Sequence, residues 1–547
     1  MLKDNFIYVL SGLKNSFSKK SKSKKKLENS YGKIPDFHYF DDDIKGIRTY
    51  FDFRHDNKLD KFLVDETTWN DLLGDEIFKR INQGASTSGE QYLYYLLRSP
   101  AIEDVEFEKR KSLIDIIENN PDIRVKLHGI FVKLGRRRAA NTCETFKPSY
   151  HNPLRLIVYI SLVLALIGLA ISFIFTFRLA LLFILLIPFN FIYREMVYKR
   201  IEKDLETVQY TVAMVFSAKK IMKLSFPVFN EYLSSFYEAL DRLKPISRMG
   251  IFPHKNNQDM LTEIVNSLLL LDLIVYEFIK NRLGKYHNDL FHVHEYIGRL
   301  DSAIAISSYR KTLKFHTVPQ IDFNTSAIHF QGINLVHPLI ENAVPNDFDT
   351  KDSVLLTGSN ASGKSTFLKT VALNAIFAQS ICTVLGSHYT APAFRIYTSM
   401  AITDDLLAGE SYFISEIKSL KRVTEVDNSE QPLFCVIDEI LRGTNSVERI
   451  AASSELLKEL SIGNTLCLAA THDIELCTLL NGIYQLLHFE ESITEDGEVI
   501  FDYEIKDGPA TTRNAIKLLD SMGFKKELVN RANEKANRYV KDGIWEQ

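Results

Sequence analysis

Apolar and polar positions alternate along the 547-residue chain in distinct textures. Residues 61–135 carry apolar positions at helical spacing, broken by short turns. In QYLYYLLRSP, Leu93, Leu96 and Leu97 fall on one helix face, and Pro100 ends the run. Gly84, Ser86, Ser88 and Gly89 mark the turn before it. Residues 194–243 read as long helices broken near Pro227. KPISRMGIFPHKNN reads as a connection, and residues 259–315 read as helices again. From about residue 321, short β-like runs alternate with helices, an α/β signal. No internal repeat with a period of roughly 20–50 residues is visible.

One stretch departs from all of these. Between Arg155 and Arg178 lie 22 uncharged residues, LIVYISLVLALIGLAISFIFTF. As a helix they reach ~33 Å, enough to cross a hydrocarbon core. A second uncharged run, Leu179–Tyr193, contains Pro188 and Asn190 and reaches only ~22 Å. It spans only if its flanking residues snorkel. Arg136, Arg137, Arg138, Lys147 and Arg155 precede the pair, and Arg194, Lys199 and Arg200 follow it. The expectation is a transmembrane helical hairpin over 156–193, with both ends cytoplasmic and Arg178 at the outer turn. The alternative is a buried hairpin in a soluble core. LLLLDLIVYEF, further on, is too short and too closely flanked by charge to be a third span.

Composition adds boundaries. With 25% charged and 46% hydrophobic residues, the chain is not disordered, collagen-like or a disulfide scaffold. Its length suits three or four domains. A net charge of −3 gives no global basic field for nucleic acid. The mean hydropathy of −0.08 averages over the apolar stretch. Cys143, Cys382, Cys435, Cys467 and Cys477 lack CxxC spacing and read as reduced, buried thiols. The N-terminal run Lys14, Lys19, Lys20, Lys22, Lys24, Lys25 and Lys26 follows a short apolar segment, so it is not a secretory signal. It reads as a solvated tail, with an anionic membrane or nucleic acid as alternative partners.

The chemistry is concentrated in the last 230 or so residues. Gly358, Ser359, Asn360, Ala361, Ser362, Gly363, Lys364 and Ser365 fit G-x-x-x-x-G-K-[ST], with Thr366 following. A β-run enters this loop and an amphipathic helix leaves it. Glycines let backbone N–H groups wrap phosphates at a helix N-terminus. Lys364 supplies a cation to the β- and γ-phosphates, and the Ser365 hydroxyl can ligate Mg²⁺. LFCVIDEI gives a buried strand ending in Asp438, which can hold Mg²⁺, and Glu439, which can polarise water as a general base. TLCLAATHDIEL delivers His472 to a strand end, where it can sense the γ-phosphate or the water. Expected cofactors are therefore ATP and Mg²⁺.

These residues together resemble the MutS mismatch-repair ATPases, of the ABC type. His337-Pro338-Leu339-Ile340-Glu341 and Val344-Pro345-Asn346-Asp347 are similar to the segment leading into that family's phosphate loop. IYTSMAITDDLLAGESYFISEI is similar to its stretch bearing Asp404, Asp405, Gly409 and Ser411. LRGTNSVERIA resembles its dimer-contact loop, here Arg442, Gly443 and Thr444. FDYEIKDGPATTRNAIKLLDSMGF resembles its closing strand and helix. A weaker likeness over 61–135 resembles the start of its helical core. The resemblance implies a homodimer with two ATP sites at the interface. Asn360, Lys364 and Ser365 would bind phosphate and Mg²⁺, Ser411 would act in trans, and hydrolysis through Glu439 would reopen the dimer.

The fold class expected is α plus α/β: a MutS-core-like helical region interrupted by the hairpin, then a P-loop ABC-type ATPase domain. The divisions are a polar and basic tail (1–60), a helical core-like segment (61–150), the hairpin (151–195), a helical lever region (196–320) and the ATPase domain (321–547). Departures from the family bear on function. The first 60 residues lack the Phe-x-Glu wedge of mismatch readers. Phe229-Asn230-Glu231 and Phe236-Tyr237-Glu238 fall in helices. Ser359 stands where the family usually has proline, and no nuclease-like domain of the kind some members carry is expected. The leading expectation is an ATPase coupling dimer closure to mismatched, branched or distorted DNA at the membrane. The alternative is a membrane-anchored mechanical ATPase acting on a protein or membrane target. A transporter ranks third. The ATPase domain is expected in the cytoplasm.

Overall fold

The computed structural model describes residues 28–137, 140–148, 153–175, 180–224, 226, 230–247, 260–324, 327–359, 362–400, 412–493, 499–510, 516, 519–520 and 522–542. The lysine run, the Arg178 turn, the break near Pro227, most of KPISRMGIFPHKNN, and Asp404, Asp405 and Gly409 lie outside the described residues. The chain forms two compact units. One takes residues 1–60, 81–95 and 112–312, and the other takes 61–80, 96–111 and 313–547.

The first unit is helical among its described residues. Its centre is the helix His287–Thr312. Leu290, Val293, Ile297, Leu300 and Ile304 recur every three or four residues and are all buried. Around it pack the helices Pro121–Leu134, Ala180–Lys223 and Asn230–Arg242. Asp301, buried on the central helix, accepts the Ala85 N–H (3.0 Å), the Ser86 N–H (2.9 Å) and the Ser86 hydroxyl (2.6 Å). Its carboxylate thereby satisfies donors ahead of the helix Thr87–Leu97, which no intrahelical carbonyl can reach. On that helix Leu93, Leu96 and Leu97 are buried, in keeping with their spacing. Burial pushes the Asp301 pKa up, against those hydrogen bonds.

Among the described residues one helix is long and apolar enough to cross a membrane, over Leu154–Ser172 within Pro153–Phe175. Only 11% of that window is buried. The second apolar run opens a 44-residue helix, Ala180–Lys223, with Pro188 inside it. At 1.5 Å per residue that helix is about 66 Å long. Asn190 donates to the Leu268 carbonyl (3.0 Å). Arg194, counted above among the flanking charges, is only 4% exposed and pairs with Asp272 (2.7 Å) and the Ser267 hydroxyl (3.1 Å). Its charge is matched within the unit, leaving Lys199 and Arg200 as the exposed cations of that trio.

The second unit is a mixed α/β structure. Its strands are β1 (Gln320–Asp322), β2 (Phe330–Leu335), β3 (Asn346–Thr350), β4 (Val354–Thr357), β5 (His388–Pro392) and β6 (Arg395–Ser399). They continue as β7 (Leu433–Asp438), β8 (Thr465–Ala470), β9 (Gln485–His488), β10 (Glu491–Ile493), β11 (Val499–Phe501) and β12 (Lys506–Asp507). Six of them make a sheet in the order β12-β9-β4-β8-β7-β6, parallel except for β12. β4, β7 and β8 are buried along their whole length, as a near-continuous apolar strand requires. A second sheet has the order β1-β5-β2-β3, and β10 and β11 pair separately.

Residues 61–80 and 96–111 pack into this same unit. The Asp71 carboxylate accepts from the Thr398 hydroxyl (2.6 Å) and the Met400 N–H (3.0 Å) just past β6. Thr398 N–H donates to the Thr68 hydroxyl (3.1 Å). Arg110 donates to the Ser99 and Gln379 carbonyls. All five cysteines are free and buried.

Candidate phosphate-binding site

β4 runs out of the sheet into the loop at Gly358, and the helix Lys364–Ile381 follows. Gly358 (φ 143°) and Gly363 (φ 105°) both need a backbone that side chains rarely adopt. At Gly358 a Cβ would also come within 2.6 Å of the Phe489 carbonyl oxygen. The glycines therefore allow the loop to fold tightly over the helix N-terminus, where unpaired N–H groups favour an anion. Ser365 and Thr366 are exposed on the first turn. The Ser362 hydroxyl donates to the Ser359 carbonyl (2.8 Å), and the Ser359 hydroxyl donates to Glu491 (2.9 Å). Asn360, Ala361 and Ser411 lie outside the described residues.

Lys364 is nearly buried. Its ammonium donates to the Gly358 (2.7 Å) and Ser359 (2.6 Å) carbonyls and lies 3.4 Å from His472 Nε2. Burial lowers its pKa to about 8, while Glu439, Asp438 and Glu491 pull the other way.

The ends of β7 and β8 bring the remaining groups to the same place. Asp438 is buried, and its Oδ1 has no hydrogen-bond partner. A buried carboxylate oxygen in that state is costly unless a cation or water meets it. Glu439 follows with φ 54°, a left-handed conformation uncommon outside glycine, held by its N–H to the Ala470 carbonyl (3.0 Å). Its Oε1 lies 2.9 Å from His472 Nε2, and its Oε2 meets Arg442 Nε. Burial raises the Glu439 pKa, but hydrogen bonds from His472 and Arg442 outweigh it and leave the pKa lowered. The carboxylate is thus ionised and can accept a proton. Asp473, beside His472, is held by Arg449 through two bonds of 2.6 and 2.8 Å.

Two cavities flank the loop. One, of about 770 Å³, is lined by Ser365, Asp438, Arg442, Lys369 and Asp71 among others. The other, of about 370 Å³, lies against Gly363 and Thr366 and is walled by His337, Val344, Phe367 and Tyr503. Burial, with Lys369, lowers the His337 pKa to about 4, so its imidazole is neutral. Volumes of this order accommodate small-molecule ligands. The sequence motifs mark His337 without giving it a role and leave out Phe367, Tyr503, Glu491 and the Arg442 clasp on Glu439. Only Arg442, three residues after Glu439, had a local signal.

The family model of MutS domain V matches residues 354–540. Residues 354–540 are thus a MutS domain V. The domain holds the described loop residues, Asp438, Glu439 and His472, while His337 precedes it. The DNA mismatch repair protein MutS of Thermus thermophilus is 34% identical over 201 residues, 36% of this chain and 24% of that protein. MutS of Geobacillus thermodenitrificans is 28% identical over 312 residues, 54% of this chain and 33% of that protein. MutS of Fusobacterium nucleatum is 27% identical over 292 residues, 50% of this chain and 31% of that protein. The chain matches about a third or less of the length of these relatives.

Proposed function

We propose that this chain binds and hydrolyses ATP, acts as a homodimer, and couples dimer closure to binding of distorted DNA at a membrane. The observation that carries the ATP reading is the convergence of Lys364, His472 and Glu439, each within 3.4 Å of the next, at the end of a phosphate-type loop. ATP with Mg²⁺ supplies the scissile phosphoanhydride and neutralises its charge. The unpartnered Asp438 oxygen and the exposed Ser365 hydroxyl suit Mg²⁺, which is typically held by one or two carboxylates with phosphates and water. Among the described residues no cluster of three or more His, Cys, Asp or Glu forms a metal cage, which fits a cation brought with substrate.

The chain's own groups then have distinct tasks. Lys364 exchanges its contacts with the Gly358 and Ser359 carbonyls for phosphate oxygens. Glu439 accepts the proton of an attacking water. His472, hydrogen-bonded to Glu439 and next to Lys364, reports phosphate occupancy to the base. Arg442 holds Glu439 until it is needed. The cavity between His337, Phe367 and Tyr503 receives the base and sugar. Ser411 of a second copy completes the site.

DNA as the target is supported by the relatives, which are DNA mismatch repair proteins, each matched over a minor part of its length. Electrophoretic shift with homoduplex, mismatched and branched DNA at fixed salt tests it. A shift favouring distorted DNA supports this target. No shift at low salt would favour the alternative, a mechanical ATPase with a protein or membrane target. Membrane attachment through 156–193, with the ATPase domain in the cytoplasm, is supported by the Leu154–Ser172 helix, whose apolar side chains remain largely outside the core. A soluble core helix of that composition would be mostly buried.

A further inference from the structure

The surface of the first unit continues the apolar face of that helix onto elements no span includes. Helix Met260–Leu269 turns into helix Leu271–Lys285 at Leu270, whose φ of 48° makes a sharp corner. Ile264, Val265, Leu271, Val275 and Phe278 are 37–46% exposed around this corner. Leu271, Val275 and Phe278 recur at i, i+4 and i+7, so they form one stripe.

Polar ties fix the corner's level along the apolar helices. Asn190 and Arg194 hold Leu268, Ser267 and Asp272, as described. Arg155 lies 3.9 Å from Glu277, and the Tyr159 ring meets the Tyr193 ring at 6.2 Å. Glu277 therefore sits level with Arg155, and Ser267–Asp272 sit level with Asn190–Arg194 and, through the Tyr193 ring, with Tyr159. A headgroup layer is ~5–7 Å thick on each side of the hydrocarbon. That is about four residues of helical rise. The corner is thus alongside the part of the helix that would cross that layer. Arg282, with its guanidinium 4.7 Å from the Phe278 ring, ends the apolar stripe in a cation suited to phosphate headgroups.

We propose that the corner Ile264–Phe278 is an interfacial wedge that inserts its apolar stripe into the headgroup region of a phospholipid bilayer. The inference rests on the membrane reading of residues 156–193 and adds a second, monotopic contact to it. The lever helix Ala180–Lys223 would then be clamped to the bilayer surface as well as anchored in it.

The test uses the 547-residue chain reconstituted in phosphatidylcholine/phosphatidylglycerol vesicles carrying bromines either near the headgroups or near the acyl-chain ends. Val275→Trp, Phe278→Trp, Ile167→Trp and the exposed control Val447→Trp are compared after subtracting the emission of the parent, which has two tryptophans. The wedge requires Val275→Trp and Phe278→Trp to lose most of their added emission to shallow bromines, with Ile167→Trp quenched and Val447→Trp unaffected. Quenching of Ile167→Trp without loss at 275 and 278 would overturn the wedge and leave the anchor standing. No quenching at 167 would remove the anchor and the wedge together.

Discussion

The proposed ATP site predicts that Lys364 couples nucleotide binding to pH. Its ammonium is held at a pKa of about 8 in the free protein. Phosphate oxygens favour the charged form, so binding raises that pKa. The affinity this charge contributes is fully present below about pH 8 and is lost as pH rises toward the pKa of the bound state. With a free pKa of about 8, the protonated fraction falls about 25-fold between pH 7.5 and 9.5. That corresponds to ~1.9 kcal/mol of binding free energy. The γ-phosphate is already ionised across this window, since phosphate monoesters titrate near pH 6. Titration calorimetry with a non-hydrolysable ATP analogue and Mg²⁺ in the unsubstituted protein, where Glu439 keeps the charge that helps set this pKa, reads the effect. The dissociation constant should rise by about this factor, with proton uptake visible in buffers of different ionisation enthalpy. Lys364→Arg keeps its charge throughout and should bind more weakly with a flat profile. A flat profile in the Lys364 protein, or an unchanged slope in Lys364→Arg, would refute the assignment.

Three further outcomes are expected. Arg442→Ala removes one of the partners that lower the Glu439 pKa, so that pKa should rise and the acid limb of the hydrolysis pH profile should move to higher pH; an unmoved limb would remove Arg442 from control of the base. Asp301→Ala leaves the buried Ser86 N–H and hydroxyl, and the half-buried Ala85 N–H, without their carboxylate, and thermal unfolding should show a loss of about 2–6 kcal/mol, at ~1–3 kcal/mol for each of the two buried donors; a loss under ~0.5 kcal/mol would contradict the capping role. The protein should remain with membranes on carbonate extraction, and replacing Leu164 and Ile167 with Asp should release it, since each acid at mid-helix costs ~2.5–3.5 kcal/mol.

The site was legible where its residues are contiguous. The Gly358–Ser365 loop and the Asp438-Glu439 strand end carry their chemistry within a few positions, and β4 and β7 deliver them to one sheet edge. The Leu93, Leu96 and Leu97 face was legible for the same reason. Contacts set by tertiary packing were not. The packing of residues 61–80 and 96–111 into the α/β unit rests on long-range contacts, such as the Thr398 and Met400 bonds to Asp71 and the Phe62–Tyr397 ring pair, which leave no periodicity. The cavity of His337, Phe367 and Tyr503 gathers residues from three separate segments. Arg194 read as a flanking charge because its partner, Asp272, lies 78 residues away. The positive φ at Glu439 is equally invisible in sequence, since glutamate has no preference for it.

The central proposal is hydrolysis of ATP with Glu439 as the base, and the most direct measurement is phosphate release by the 547-residue chain and by Glu439→Gln. The unsubstituted chain should release phosphate with Mg²⁺ present, and Glu439→Gln should lower turnover by about 10²–10⁴-fold while still binding ATP. Turnover in Glu439→Gln equal to that of the unsubstituted chain, or no release by the latter, would contradict it.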